Sequence, residues 1–272
     1  MSIHLRSYGA ATMLGLSVSA CLLVPVITLA QSNDPQPEDA TTAILAAFDK
    51  YDVVGMNAGH ANKNQDDFIL SLIRNPKLPG KVNDLVVECG NSGYQAILDR
   101  YIAGDSVSFE DARHAWRDTT VGMCSLSSFY AELFPLVRRI NQGIPPPKRL
   151  RVLLGEPSFD WSASPTSHPR LDRNARLASV MMTEVLPKKH KALILCGVGH
   201  LYHGEGTAVS IYEQKYPGRT LVVETHNGFA AFIDLDRGHQ LEARMRTCPI
   251  PSLIPIKGTW LADLDLPYFL WP

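Results

Sequence analysis

Five short apolar runs do most to restrict what this chain can fold into: "DVVGM" (52–56), "NDLVVECG" (83–90), "RLRVLLGEP" (149–157), "KALILCG" (191–197) and "RTLVVETH" (219–226). Each is too short for an ordinary helix, and each is apolar continuously instead of at alternate positions. Continuous apolarity over four to eight residues is the pattern of a strand buried on both faces, as in parallel sheets. The stretches between them carry helical spacing. "NQDDFILSLIRNP" (64–76) sets Phe68, Leu72 and Ile73 on one side and stops at Pro76. "GYQAILDRYIAG" and "SFEDARHAWRDTT" follow as helical stretches, and "SSFYAELFPLVRRINQ" (127–142) is closed by "GIPPPKR", which a helix cannot cross. "RNARLASVMMTEVLPKKH" (173–190) and "TAVSIYEQKYP" complete the set. Strand and helix in alternation predict an α/β fold, a mainly parallel β-sheet with helices on both faces, in a single domain.

The N-terminus reads differently. "MSIHLRSYG" carries Arg6 and no acid, residues 10–30 carry no charge, and "QSNDPQPEDATT" turns polar abruptly. A basic start, an apolar run and small residues before a polar stretch describe a secretory signal peptide over residues 1–30, cut after Ala30. Residues 31–38 then form a polar linker, and 39–272 the α/β domain. Two alternatives involve a membrane: the apolar run left uncleaved as an anchor, or lipidation of Cys21 in "VSAC". The expected location is exported, periplasmic or secreted. Export leaves Cys89, Cys124, Cys196 and Cys248, enough for one or two disulfides in an oxidising compartment. Cys89 and Cys196 end apolar strands, where a buried thiol is the expected state. With 26 basic and 27 acidic residues and no basic block, a nucleic-acid partner is excluded. A small-molecule substrate is the expected partner.

Ligands of open parallel sheets sit beyond the carboxyl ends of the strands. In this chain those ends carry ionisable residues: His60 after the first strand, Glu88 in the second, and Glu156 with Asp160 after the third. His200 and His203 follow the fourth, and Glu224 and His226 the fifth. Glu88 stands out, because "LVVEC" places a carboxylate in a run that should be buried. Such a group costs several kcal/mol unless paired, so a histidine or arginine from a neighbouring strand end is expected beside it. Gly59 and Gly199 precede His60 and His200, as if to allow positive φ and a close approach of backbone to ligand. The candidate catalytic residues are His60, Glu88 and His200. Tyr94, Arg117, Glu156 and Asp160 are candidate substrate-binding residues, with the loop 158–172 as a lid.

The order strand–GxxH, strand–Glu, strand–GxxH resembles the superfamily that contains erythromycin esterases, haem-binding ChaN lipoproteins and Tiki metalloproteases. Within it, a set of uncharacterised exported bacterial proteins is similar over "FILSLIRNPKLPGKVNDLVVECGNSGYQAILDRYIAG", "AWRDTT", "LFPLVRRINQGIPPPKRLRVLLGEPSFDW", "KALILCGVGHLYH" and "GTWLADLD". In the esterase-like members the first motif reads Gly-Glu-x-His. The resemblance implies His60 as base, Glu88 as its partner and His200 as the histidine of the second motif. With His60 aligned, the glycine falls on Asn57 and the glutamate on Ala58, so one acidic group of that pattern is absent.

Three functions follow. The first is an exported hydrolase of an ester or amide, with His60 taking a proton from water, Glu88 orienting it and His200 stabilising developing charge. The second is a haem- or other ligand-binding protein, with Tyr202 and His203 as iron ligands. The third is a catalytically degenerate member. No cofactor is required by the first reading. Haem is permitted, as is a divalent metal at His60, Glu88, His200 and His203, but no short ligand spacing calls for a metal.

Overall fold

A computed structural model of the chain describes residues 36–58, 62–162, 172–224, 243, 246–249 and 251–258, all within the unit Asp34–Pro272. The N-terminal segment, His60, most of the 158–172 loop, His226 and the C-terminal "LPYFLWP" lie outside the described residues. Among those described, no helix is long and apolar enough to cross a membrane.

In chain order the elements are β1 (Glu38–Asp39), α1 (Ala40–Ala47), β2 (Val53–Asn57), α2 (Lys63–Arg74), β3 (Asp84–Asn91) and α3 (Gln95–Ala103). Short helices α4 (Phe109–Ala112), α5 (His114–Arg117) and α6 (Gly122–Ser125) lead to the long α7 (Ser128–Gln142). Then come β4 (Arg151–Glu156), α8 (Arg173–Val180), β5 (Ala192–Cys196), α9 (Ala208–Glu213), β6 (Thr220–Val223) and β7 (Ser252–Leu253). The five apolar runs are β2 to β6. They form one parallel sheet in the order β4-β3-β5-β2-β6, while β1 and β7 pair separately. This is the α/β architecture that the sequence implies.

The alternation of side chains divides the core in two. Val54, Met56, Leu85, Val87, Leu193 and Leu195 pack with α1, α2, α3 and α7 on one face. Val53, Val86, Ile194 and Cys196 pack with α8 and α9 on the other. Successive crossovers therefore leave neighbouring strands toward opposite faces. The chain after β3 turns to the α3 side and the chain after β5 to the α9 side, which opens a crevice between the carboxyl ends of those two strands.

Glycines let the second face close. A Cβ on Gly155 would meet Leu177 Cδ2 at 2.4 Å and the Val87 carbonyl oxygen at 2.7 Å. The bare backbone of β4 is thus what allows α8 to lie flat on the sheet. At the far end of the strands, the buried Asp84 carboxylate is neutralised by Arg151 (2.6 Å) and approached by His190 Nδ1 (3.0 Å). The edge strand β4 is closed by side-chain carboxamides. Leu150 exchanges hydrogen bonds with Asn141, at 2.8 and 2.9 Å. Gln95 donates to the Val152 carbonyl (2.8 Å) and accepts from the Leu154 N–H (2.9 Å).

Three expectations need correction. Cys89 is not a free thiol: it is bonded to Cys124, with the two Cα atoms 5.4 Å apart, whereas Cys196 is free and buried. A strand pattern cannot show that α6 returns beneath the end of β3. The helix expected over 173–190 keeps α geometry only to Val180, then widens to a π turn (Met181–Val185) and tightens to a 3-10 turn (Leu186–Lys188). Pro187 has no N–H to give the carbonyl four residues back, so the regular ladder cannot continue through it. Finally, Gly199 is not held by sterics. Its φ is not positive, and a Cβ there would meet nothing within 4 Å.

Candidate active site at the carboxyl ends of β3 and β5

Glu88 is the fifth residue of β3 (Asp84–Asn91), in its carboxyl-terminal half, and is 3 % exposed. Three groups neutralise it. The Gly197 N–H, at the end of β5, donates to Oε2 at 2.5 Å. His200 Nε2 lies 3.2 Å from Oε1. Arg173 Nη2, from the first residue of α8, lies 2.7 Å from the same oxygen, as an ion pair not aligned as a hydrogen bond. Burial pushes the Glu88 carboxyl up. The hydrogen bond and charge of His200, the charge of Arg173 and the Gly197 N–H outweigh it and hold the pKa down at about 2.

The imidazole of His200 is engaged on both sides. Its Nδ1 lies 2.6 Å from Asn174 Oδ1, and that oxygen also accepts from the Ala208 N–H (3.1 Å), which assigns it as the carbonyl side of the amide. Two acceptors flank the ring, so both contacts are satisfied only when both nitrogens carry protons. Both ring nitrogens of His200 are thus engaged by acceptors, which orients the ring toward Glu88. The turn that carries it is seated by β2. A Cβ on Gly55 would stand 2.8 Å from Leu201 Cδ2 and 3.3 Å from Ile194 Cγ2, so glycine at this position lets Leu201, and with it His200, settle on the sheet.

The other sequence candidates separate from this cluster. Glu156 is fully buried but committed: it accepts from the hydroxyls of Thr119 and Thr120 and from the Thr120 N–H (3.0 Å). It thereby ties the loop after α5 to the end of β4. Tyr94 donates to Asp118 Oδ2 (2.6 Å), which also faces His114 Nδ1 at 3.0 Å, and the Tyr94 and His114 rings stack with centroids 5.7 Å apart. The hydrogen bond to Asp118 raises the Tyr94 phenol to about 12, with burial and the charges of Asp118 and Asp160 adding to it. Asp160 accepts from the N–H and hydroxyl of Ser162, at 2.8 and 2.7 Å. Arg117 is exposed on α5. His203 Nδ1 lies 3.2 Å from Glu213 Oε2, and the Tyr202 carbonyl accepts from the Thr207 hydroxyl (2.7 Å).

The structure thus joins Glu88 to His200, sets Tyr94 and Asp160 in a second group with Asp118 and His114, and leaves Glu156 and Arg117 outside both. Sequence reasoning missed Arg173 and Asn174. Their signal was "LDRNARL", an Asp N-cap followed by a cation and an amide at the start of a helix that follows a β4 end. Two cavities lie elsewhere. One, of about 440 Å³, runs along β4 between α3 and α8. The other, of about 260 Å³, borders Tyr94 and His114. Among the described residues, no three His, Cys, Asp or Glu side chains form a metal-binding group.

No protein-family model and no curated protein matches the chain. One solved structure is similar, ChaN of Campylobacter jejuni, described with cofacial haem binding. It shares 12% identity over 71% of this chain and 88% of its own, with a TM-score of 0.42. That likeness is too loose to carry over residues or ligand.

Proposed function

We propose that the chain is an exported hydrolase of ester or amide bonds, working at the crevice between β3 and β5. The observation that carries this reading is the Glu88 centre: a buried carboxylate, ionised at neutral pH, that holds His200 and Arg173 in fixed positions beside it. Preorganised donors in a water-poor crevice are worth most where negative charge develops, as on the oxygen of a tetrahedral intermediate. His200 cannot double as the base, since its two ring nitrogens face Asn174 and Glu88. The base is assigned to His60, in the short connection between β2 and α2, for which the resemblance to erythromycin esterases speaks as well. The exported location rests on the N-terminal sequence pattern alone.

The test is turnover of a chromogenic ester such as p-nitrophenyl butyrate. His60→Ala is expected to lose about 10²–10⁴ in rate, the usual worth of a general base, with an unchanged unfolding midpoint. Retained turnover in that variant removes His60 from the mechanism.

A second reading, haem binding, is favoured by one observation. His203 turns Nδ1 to the Glu213 carboxylate at 3.2 Å and its side chain is 47 % exposed, so Nε2 is left as the donor atom. Carboxylate-held imidazoles of this kind suit metal ligation. His203, with Tyr202 beside it, would hold the iron, and haem would supply redox or carrier chemistry there. Titration of haem into the purified protein should then give a Soret shift that His203→Ala abolishes. A Soret band indifferent to His203 and Tyr202 sinks this reading.

A further inference from the structure

The cavity along β4 lies on the open flank of the sheet. Its volume, about 440 Å³, falls within the roughly 300–1,000 Å³ usual for small-ligand pockets. The walls are two helical segments that both run back along the strand. From α3 come Gln95, Asp99 and Ile102; from α8 and the π turn that continues it come Arg176, Val180 and Glu184. The four-residue spacing of the second set puts a cation, an apolar side chain and an acid in one row on one helix face. At about 1.5 Å per residue, the ends of that row stand roughly 12 Å apart along the axis.

The two ends of the groove differ in how their charges are answered. At the amino end of β4, Arg151 pairs with Asp84 (2.6 Å) and Glu184 (3.6 Å), and Asp99 accepts from Gln95 Nε2 (2.8 Å). At the carboxyl end stands Arg176, one residue before Leu177, the side chain that covers Gly155. Among the described residues Arg176 Nε is buried without a hydrogen-bond partner, and no carboxylate pairs with the guanidinium. A backbone donor faces the same groove. The Arg151 N–H turns inward to the Asn83 carbonyl (2.9 Å), so strand alternation turns the N–H groups of Leu150, Val152 and Leu154 outward. Asn141 accepts from the first and Gln95 from the third. No side chain of the described residues accepts from the Val152 N–H between them, although Val152 is 1 % exposed. Buried donors are rarely left open. A cation and an N–H left open beside apolar side chains call for acceptors from outside the chain.

We propose that this groove is a binding site for a small carboxylate of the N-acyl amino acid type. The carboxylate pairs with Arg176, whose planar guanidinium suits two-pronged recognition of such a group. The amide carbonyl accepts from the Val152 N–H, and the acyl chain lies along Ile102, Leu153 and Val180. Asp99 and Glu184 leave the amino end without a spare cation, so a monoanion is taken in one direction only. The site is separate from the hydrolytic reading above, because none of these residues belongs to the Glu88 centre.

The experiment titrates N-octanoylglycine, and its uncharged counterpart N-octanoylglycinamide, into the 15N-labelled protein, with NMR signals read at the Val152 amide and the Arg176 Nε–H. The acid is expected to shift both signals saturably, and the amide to bind at least about tenfold more weakly. Arg176→Gln should weaken the acid by at least about tenfold and leave the amide unchanged. Ala103→Trp, at an exposed position on the rim of the groove, should block both ligands with an unchanged unfolding midpoint. The proposal is overturned by the absence of a saturable shift, by equal affinity for acid and amide, or by undiminished acid binding in Arg176→Gln. Shifts confined to Gly197 and His200 also overturn it, since they place the ligand in the crevice between β3 and β5. If Arg176→Gln does not fold, Ala103→Trp decides: acid binding that survives the filled groove overturns the site, and its loss supports it.

Discussion

Replacing Glu88 with glutamine keeps the side-chain shape and removes the charge on which the candidate centre is built. The carboxyl is held at about 2 in the folded chain against an ordinary 4.5, a difference worth about 3 kcal/mol. Because Glu88 is only 3 % exposed, solvent screening leaves that figure largely intact. The sign follows from the folded value lying below the unfolded one. The stabilisation is complete above about pH 4.5, declines as pH falls toward 2, and is gone below it. Glutamine also leaves Arg173 and His200 without their counter-charge, and breaking a buried pair from one side costs roughly 3–5 kcal/mol. Glu88→Gln should thus be less stable than wild type by at least about 3 kcal/mol near pH 7, with the gap narrowing steadily below pH 4.5. Urea unfolding followed by circular dichroism at a series of pH values between about 7 and 2.5 measures both curves. A gap that stays constant over that range would show that Glu88 is not ionised by its surroundings, and the proposed placement of His200 and Arg173 would lose its anchor.

Glycine substitutions should rank by what the new methyl meets. Gly155→Ala drives a Cβ against the Val87 carbonyl as well as Leu177 and should cost the upper part of a ~1–3 kcal/mol range in thermal unfolding. Gly55→Ala presses on side chains alone, so it should cost less stability but reduce turnover through the displaced Leu201–His200 turn. Gly199→Ala meets nothing and should stay within about 0.5 kcal/mol; the reverse order would refute the packing account. Reducing Cys89–Cys124, which spans a separation of 35 residues, should lower stability by about 4 kcal/mol on the chain-entropy estimate. Matched urea midpoints with and without reductant would contradict it.

Much of the sheet is legible in the sequence because it depends on local pattern. The runs at "LVVEC" and "ALILC" are apolar at every position, and both are strands buried on two faces. The demand that Glu88 be paired is equally legible, since it follows from burying one carboxylate. Which groups would answer that demand is not, because Arg173 and Asn174 arrive from 85 and more residues downstream, across a loop and a change of sheet face. Glu156 shows the converse. Its place at a strand end looks functional in sequence, yet two threonines from a loop that no pattern ties to β4 consume it. Pairing of Cys89 with Cys124 likewise depends on where α6 returns, a fact of topology that spacing does not carry. Glu224 is the intermediate case. Its position at a strand end is visible, but burial raises its carboxyl to about 8, and only the packed neighbours determine that burial.

The carboxamides along β4 have a consequence for how copies of this protein can meet. An incoming strand beside β4 would have to displace four hydrogen bonds, two from Asn141 and two from Gln95, before making its own. The exchange recovers little, so backbone templating has no driving force on this flank. Asn141 and Gln95 act in effect as a counterfeit sixth strand, two residues wide, already docked. Any self-association across β4 must therefore be built side chain to side chain over α3 and α8, and long β-ladders between molecules are shut out there by two amides.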